Sequence, residues 1–256
     1  FSKVMENSIK VIDLKKNYGN KEAVKNINFE IKENEIIGLL GPNGCGKTTT
    51  IGMILGLLKP SKGRILINGI EIENKRVDLL KYLNFISPYI ELPKKLTVNQ
   101  NLIVYGKLYN IKNLNERINF LSEKLRLGDL LDKITGELSS GQKNRVSLAK
   151  ALINDPTVLL LDEPTAALDP ETADFIRTFL EKLREEKKIS VLLASHNMDE
   201  VKRLCNSVMM MKDGNIVDGG TPEDLIEKYG QKNLEEVFLE IVRKDKWILQ
   251  EYTDYF

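Results

Sequence analysis

The sequence predicts an α/β fold: a mostly parallel sheet with covering helices, an N-terminal antiparallel β subdomain and an inserted α-helical subdomain. Three observations carry this. The runs IIGLL (36–40), VLLL (158–161) and VLLAS (191–195) are apolar without alternation, as strands buried on both faces are. Helical patterns lie between them, after Lys47, from Ser139 to Asn154 and from Thr172 to Lys187, which is the layout of parallel strands joined by covering helices. Near the N-terminus, IKVIDL and INFEI alternate and are joined through a Tyr-Gly-Asn turn, the pattern of an antiparallel pair.

The chain of 256 residues, 42% hydrophobic and 29% charged, is long enough to bury a proper core. We expect a single domain: a core over about 1–90 and 155–220, the helical subdomain over about 91–154 and a C-terminal helical tail over about 221–256. In that tail Leu234, Val237, Phe238 and Ile241 share one helical stripe, and most such stripes dock on their own domain. Thirty-eight basic residues against thirty-seven acidic ones leave a net charge of +1, so no overall field draws the chain to nucleic acid, and no nucleic-acid partner is expected. No apolar run reaches the roughly 18 residues of a membrane span, and no secretory signal is expected. The two cysteines, Cys45 and Cys205, fit a reducing compartment better than a disulfide framework.

Directly after IIGLL comes GPNGCGKTTT, a match to G-x-x-x-x-G-K-[ST] over Gly41, Pro42, Asn43, Gly44, Cys45, Gly46, Lys47 and Thr48, with Thr49 following. Glycines let consecutive backbone N–H groups turn inward onto phosphate oxygens, and the next helix adds its positive end. Lys47 is expected to reach the β and γ phosphates and Thr48 to place its hydroxyl on Mg²⁺. A strand before the loop and a helix after it make this a P-loop NTPase core rather than a chance glycine turn. Cys45 occupies a small-residue slot; set against a packing role is the expectation that a bulky thiol reagent there blocks ATP binding.

TVLLLDEPTAALD sets two acids at the C-terminal end of a buried strand, where open α/β sheets bind ligands. Asp162 is expected to hold the metal and Glu163 to polarise an attacking water. Acids also favour helix starts, which alone would account for an Asp-Glu pair. The only histidine, His196, follows VLLAS at another strand tip, where an imidazole can hydrogen-bond a γ-phosphate. In LSSGQ, Ser139 and Gln142 fit a capping box, and Gly141 lies between them at a helix start that is also an anion site.

Taken in order, GPNGCGKT, LSSGQ, LLLDEP, ALD and the histidine after a strand resemble the ATP-binding cassette (ABC) family, specifically and over most of the chain. The resemblance implies ATP and Mg²⁺ as cofactors, ATP hydrolysis, and a head-to-tail dimer with a second, identical ABC subunit that sandwiches two ATP molecules. It implies that Ser139, Gly141 and Gln142 act in trans, that Asp169 crosses the interface and that Tyr18 stacks on adenine, although Tyr18 could equally be a turn tyrosine. A lone cassette without a span resembles the energy subunit of a transporter with separate transmembrane permease subunits, held peripherally at the cytoplasmic face of the membrane. The ASHNMDEV segment, the DGG turn and the tail look similar to export-type cassettes. A soluble ABC ATPase of an assembly or repair machine is the alternative, and a phosphoryl transferase is disfavoured by LSSGQ.

One departure stands out. The family's usual glutamine after this strand falls at about Pro88, and Gln100 belongs to the next helical segment. Proline has no side-chain donor or acceptor, so we expect Ser87 or an ordered water to fill that place. Pro88, Tyr89, Leu92 and Pro93 are expected to form a stiff rim of a permease-docking groove.

Overall fold

The computed structural model describes residues 7–88 and 90–253, with residues 244–253 as backbone alone. In chain order the elements are β1 (Asn7–Tyr18), β2 (Lys21–Lys32), β3 (Ile36–Leu40), α1 (Lys47–Ile54), β4 (Lys62–Ile67), β5 (Ile70–Glu71), α2 (Ile72–Leu79) and β6 (Leu83–Ile86). There follow α3 (Val98–Leu108), α4 (Leu114–Lys124), α5 (Ser140–Leu152), β7 (Val158–Asp162), α6 (Pro170–Glu186), β8 (Ser190–Ala194) and α7 (Met198–Leu204). β9 (Ser207–Lys212), β10 (Asn215–Gly220), α8 (Pro222–Tyr229) and α9 (Leu234–Thr253) complete the order.

A six-stranded sheet runs β10-β9-β3-β8-β7-β6, parallel except for the β9–β10 hairpin. A second, antiparallel sheet runs β2-β1-β4-β5. The apolar runs follow from this layering. Leu159, Leu161, Val191 and Leu193 face one core, while Val158, Leu160, Leu192 and Ala194 face another; alternate residues point to opposite faces of a strand, so a strand buried twice must be apolar throughout.

The first core is closed by Val98 and Leu102 of α3, Ile118 and Leu121 of α4, Val146 and Ala149 of α5, and Ile176 and Leu180 of α6. The helices between β6 and β7 thus share one core with the sheet. The second is closed by Ile9, Ile31 and Ile65 of the antiparallel sheet and by Ile51 and Ile54 of α1. In the tail Leu234, Val237 and Ile241 are buried in the first core, and Lys212 Nζ donates to the Ile241 carbonyl at 2.8 Å. That stripe docks on its own domain.

Because β3, β8 and β7 are adjacent and parallel, their C-terminal ends open at one edge. The phosphate loop leaves β3 there, His196 follows β8, and Asp162 ends β7.

Candidate functional site

The loop from Gly41 to Thr48 closes onto the first turn of α1. Gly46 caps that helix at φ 114° and Gly44 lies at φ 79°, values that side chains with a Cβ rarely adopt. A Cβ on Gly46 would also stand 2.6 Å from the Ala23 carbonyl oxygen. The loop is pinned from outside where the Gly214 N–H donates to the Cys45 carbonyl at 2.9 Å. Lys47 is buried and curls over the loop, its Nζ donating to the carbonyls of Gly41 at 2.6 Å and Pro42 at 3.2 Å.

Cys45 turns inward. Its side chain is 3% exposed and packs in the second core, and burial pushes the thiol pKa up. Only the thiolate reacts readily, so the expectation of a reagent-accessible thiol is corrected: Cys45 is a packing residue, and what it can offer a phosphate is backbone.

At the end of β7, Asp162 is buried and lies 3.5 Å from the Thr48 hydroxyl, which donates to its Oδ2. Burial first, and the neighbouring Glu163 charge second, push its pKa up; Lys47 and the Thr48 hydroxyl act the other way. Glu163 then leaves the strand at φ 51°, held there as its N–H donates to the Ala194 carbonyl at 2.8 Å. A left-handed glutamate is strained by about 1 kcal/mol or more, a departure that clusters at functional sites. Its Oε1 lies 2.7 Å from His196 Nδ1, and the His196 N–H donates to Oε2 at 3.4 Å. The carboxylate is mostly buried, whereas the imidazole is largely exposed.

Tyr18, Lys21, Ala23, Asn43, Gly44, Gly46, Lys47, Thr48, Thr49, Pro88, Asp162, Glu163, Ala166 and His196 line one cleft of about 670 Å³. Tyr18 is half exposed at its rim, with Lys16 Nζ 5.2 Å from the ring centroid. Lys21, which the motifs do not reveal, is paired with Tyr18 across the β1–β2 turn. The hairpin pattern could have flagged it, since residues flanking a tight turn lie side by side. The residues also fit a small divalent cation. Thr48 and Asp162 present hard oxygens side by side, and among the described residues no three-residue His/Cys/Asp/Glu cluster competes with them. Magnesium is commonly held this way, by one or two protein oxygens completed by phosphates and water.

The structure does not bring Ser139, Gly141, Gln142 or Asp169 to this cleft. Ser139 caps α5 by accepting from the Gln142 N–H at 3.3 Å, while the Ser139 N–H donates to Gln142 Oε1 at 3.0 Å. Gly141 packs on Thr172, whose Cγ2 and Oγ1 would each lie 3.0 Å from an added Cβ. Asp169 caps α6, accepting from the Thr172 N–H at 2.9 Å, and that backbone hydrogen bond lowers its pKa.

Along the segment after β6, Pro88 lines both the cleft and an adjoining cavity of about 250 Å³, which Ser87, Asn144, Glu163 and Leu168 also line. A proline ring stands in the cleft wall at this point, with Ser87 beside it. Leu92 is buried against the first core and cannot form an exposed rim; Ile90, 48% exposed, and the exposed Pro93 occupy that surface. Tyr89 lies outside the described residues. Gln100 is the third residue of α3 and completes a capping box with Thr97.

Residues 24–166 match the family model described as ABC transporter. The chain is 34% identical to the ABC transporter ATP-binding protein NatA of Bacillus subtilis over 221 residues, 85% of this chain and 89% of that one. It is 36% identical to the Nod factor export ATP-binding protein I of Rhizobium etli, over 84% of this chain and 69% of the relative. Among solved structures, it superposes on the ATP-binding cassette MJ0796, a dimer in a post-hydrolysis state bound to ADP and Pi. That match has a TM-score of 0.76 and 28% identity, over 83% of this chain and 98% of that one. With the motifs, the two-layered core and the cleft in agreement, this chain belongs to the ABC transporter family, as one of its ATP-hydrolysing cassettes.

Proposed function

We propose that the chain is the motor subunit of a membrane transporter, working as a head-to-tail pair of identical subunits around two ATP molecules. The observation that carries this reading is the Glu163 carboxylate, turned toward the cleft and paired with His196 Nδ1 at 2.7 Å beside the phosphate loop. The backbone N–H groups of Gly44, Gly46 and Lys47 and the start of α1 bind the phosphates, and the Lys47 ammonium neutralises them. Tyr18 stacks on the base. Glu163 accepts the proton of the attacking water while His196 holds the carboxylate in place and donates toward the γ-phosphate. Thr48 and Asp162 would hold Mg²⁺, which neutralises charge on the β and γ phosphates when bound.

The α5 start of a second copy closes on the same ATP. Its capping box uses the Ser139 and Gln142 N–H groups, so the N–H groups of Ser140 and Gly141 are the ones it offers to a phosphate. Asp169, exposed at the start of α6, lies across that interface. The helical segment 91–154 acts as the arm that carries the signature, on the core of 1–90 and 155–220, with 221–256 as tail. ATP binding shifts the pair toward closure because it has differential affinity for the closed state. Separate permease subunits carry the passage and this chain sits on the cytoplasmic face; among the described residues no helix is long and apolar enough to cross a membrane. Export is the direction favoured by the Nod factor export relative.

Two measurements test this. The native chain should copurify from detergent-solubilised membranes with a polytopic membrane protein; recovery only with soluble assembly factors would remove the transport reading. Glu163→Gln should bind ATP and elute as a dimer while turnover falls by about 10²-fold or more. Parental turnover in that variant would remove Glu163 as the base.

A further inference from the structure

We propose that Glu200 is a positioning residue for ATP hydrolysis: its carboxyl anchors the strand-end loop that sets His196 against Glu163. The inference rests on the reading that those two side chains act at the attacking water. Glu200 itself does not line the cleft.

After β8 the chain turns inward at Ser195, which is fully buried, before His196 emerges. Ser195 Oγ donates to Glu200 Oε2 at 2.7 Å and accepts from the Asn197 N–H at 3.1 Å. Asn197 in turn caps α7, its Oδ1 accepting from the Glu200 N–H at 3.1 Å. Glu200 therefore closes the His196 loop twice, once through its side chain and once through its backbone.

Thr165, buried just beyond Glu163, and the Arg177 guanidinium of α6 both act electrostatically on the Glu200 carboxyl. Glu200 Oε1 and Arg177 Nε are both sealed from solvent and lack a direct hydrogen-bond partner among the described residues. A carboxyl at 0% exposure on a short helix costs stability that an apolar side chain there would not. What it supplies is a fixed geometry for the loop that presents His196 to Glu163, and a small misplacement of reacting groups costs rate. Burial pushes the Glu200 pKa up, and glutamine keeps the shape of the side chain and an accepting oxygen for the Ser195 hydroxyl.

The test is steady-state ATPase and thermal melting of the full chain carrying Glu200→Ala, Glu200→Gln or Ser195→Ala, alone and combined with His196→Ala. Glu200→Ala and Ser195→Ala should each lower kcat about tenfold or more with KM for ATP within about twofold of the parent. Glu200→Gln should hold kcat within about threefold, and Glu200→Ala should add nothing to the loss from His196→Ala. Parental kcat in folded Glu200→Ala, equal losses for alanine and glutamine, or losses that add in the double variant would each overturn this anchoring of the His196 loop. Where Glu200→Ala does not fold, Ser195→Ala decides, and parental kcat there overturns it. Parental turnover in His196→Ala would instead remove the reading of the site on which the inference stands.

Discussion

The strand-end cleft and the start of α5 both carry strong motifs, yet they are built in opposite ways. In the cleft, polar side chains converge from three parallel strands and are left under electrostatic stress: Asp162 and Glu163 adjoin, and the Asp162 pKa is pushed up by burial and by that neighbour. At α5, Ser139 and Gln142 satisfy one another in a capping box, and Gly141 is held small by Thr172. The difference teaches that a motif's side chains need not be its chemistry. One region gathers its polar groups into one cleft, while the other presents a capped helix start that, on the proposed reading, serves a second subunit.

That comparison breaks first at Lys47. If the cleft alone binds nucleotide, Lys47→Ala should raise the Kd for ATP of the isolated subunit about 100-fold, the loss of one or two charged hydrogen bonds; equilibrium binding of a fluorescent ATP analogue reads it. Tyr18→Ala should weaken the same binding about tenfold, and Tyr18→Trp should restore it, since stacking needs a flat ring rather than a hydroxyl. A Tyr18→Ala subunit with parental affinity would leave it a turn residue.

Two smaller effects concern stability. Because the Asp162 pKa is raised in the fold, the native state holds its proton more tightly than the unfolded chain. The Asp162 contribution to stability therefore grows as pH falls through its folded value and is lost as pH rises. Asp162→Asn should accordingly raise Tm without Mg-nucleotide by roughly 2 °C at neutral pH while destroying turnover; a lowered Tm would show the charge to be compensated. Ser139→Ala should cost about 1 kcal/mol in denaturant unfolding, the loss of a helix cap. It should leave single-subunit ATP affinity at the parent value, and a matching loss of affinity would erase the contrast between the two regions.

Much of this was legible in the chain. Continuous apolar runs marked β3, β7 and β8 because burial on two faces leaves no polar position, and the phosphate loop was legible because its glycines answer to backbone geometry. The capping box at Ser139 was legible for the same local reason. Less was visible where residues meet only through the sheet order. The inward turn of Cys45, the burial of Leu92 and the exposure of Ile90 depend on which neighbours lie above them, and no short window of sequence contains those neighbours.

By itself the sequence determined the strands, the phosphate loop and the identity of the acids, because each rests on periodicity or backbone chemistry within a few residues. Only the tertiary structure decided that Glu163 leaves its strand left-handed to meet His196, that Pro88 forms part of the cleft wall, and that Glu200 lies buried against the Ser195 turn that precedes His196. Those placements come from the parallel order β3-β8-β7, which brings residues more than thirty positions apart to one edge, and hydrogen-bond reach across a sheet is not written in sequence distance.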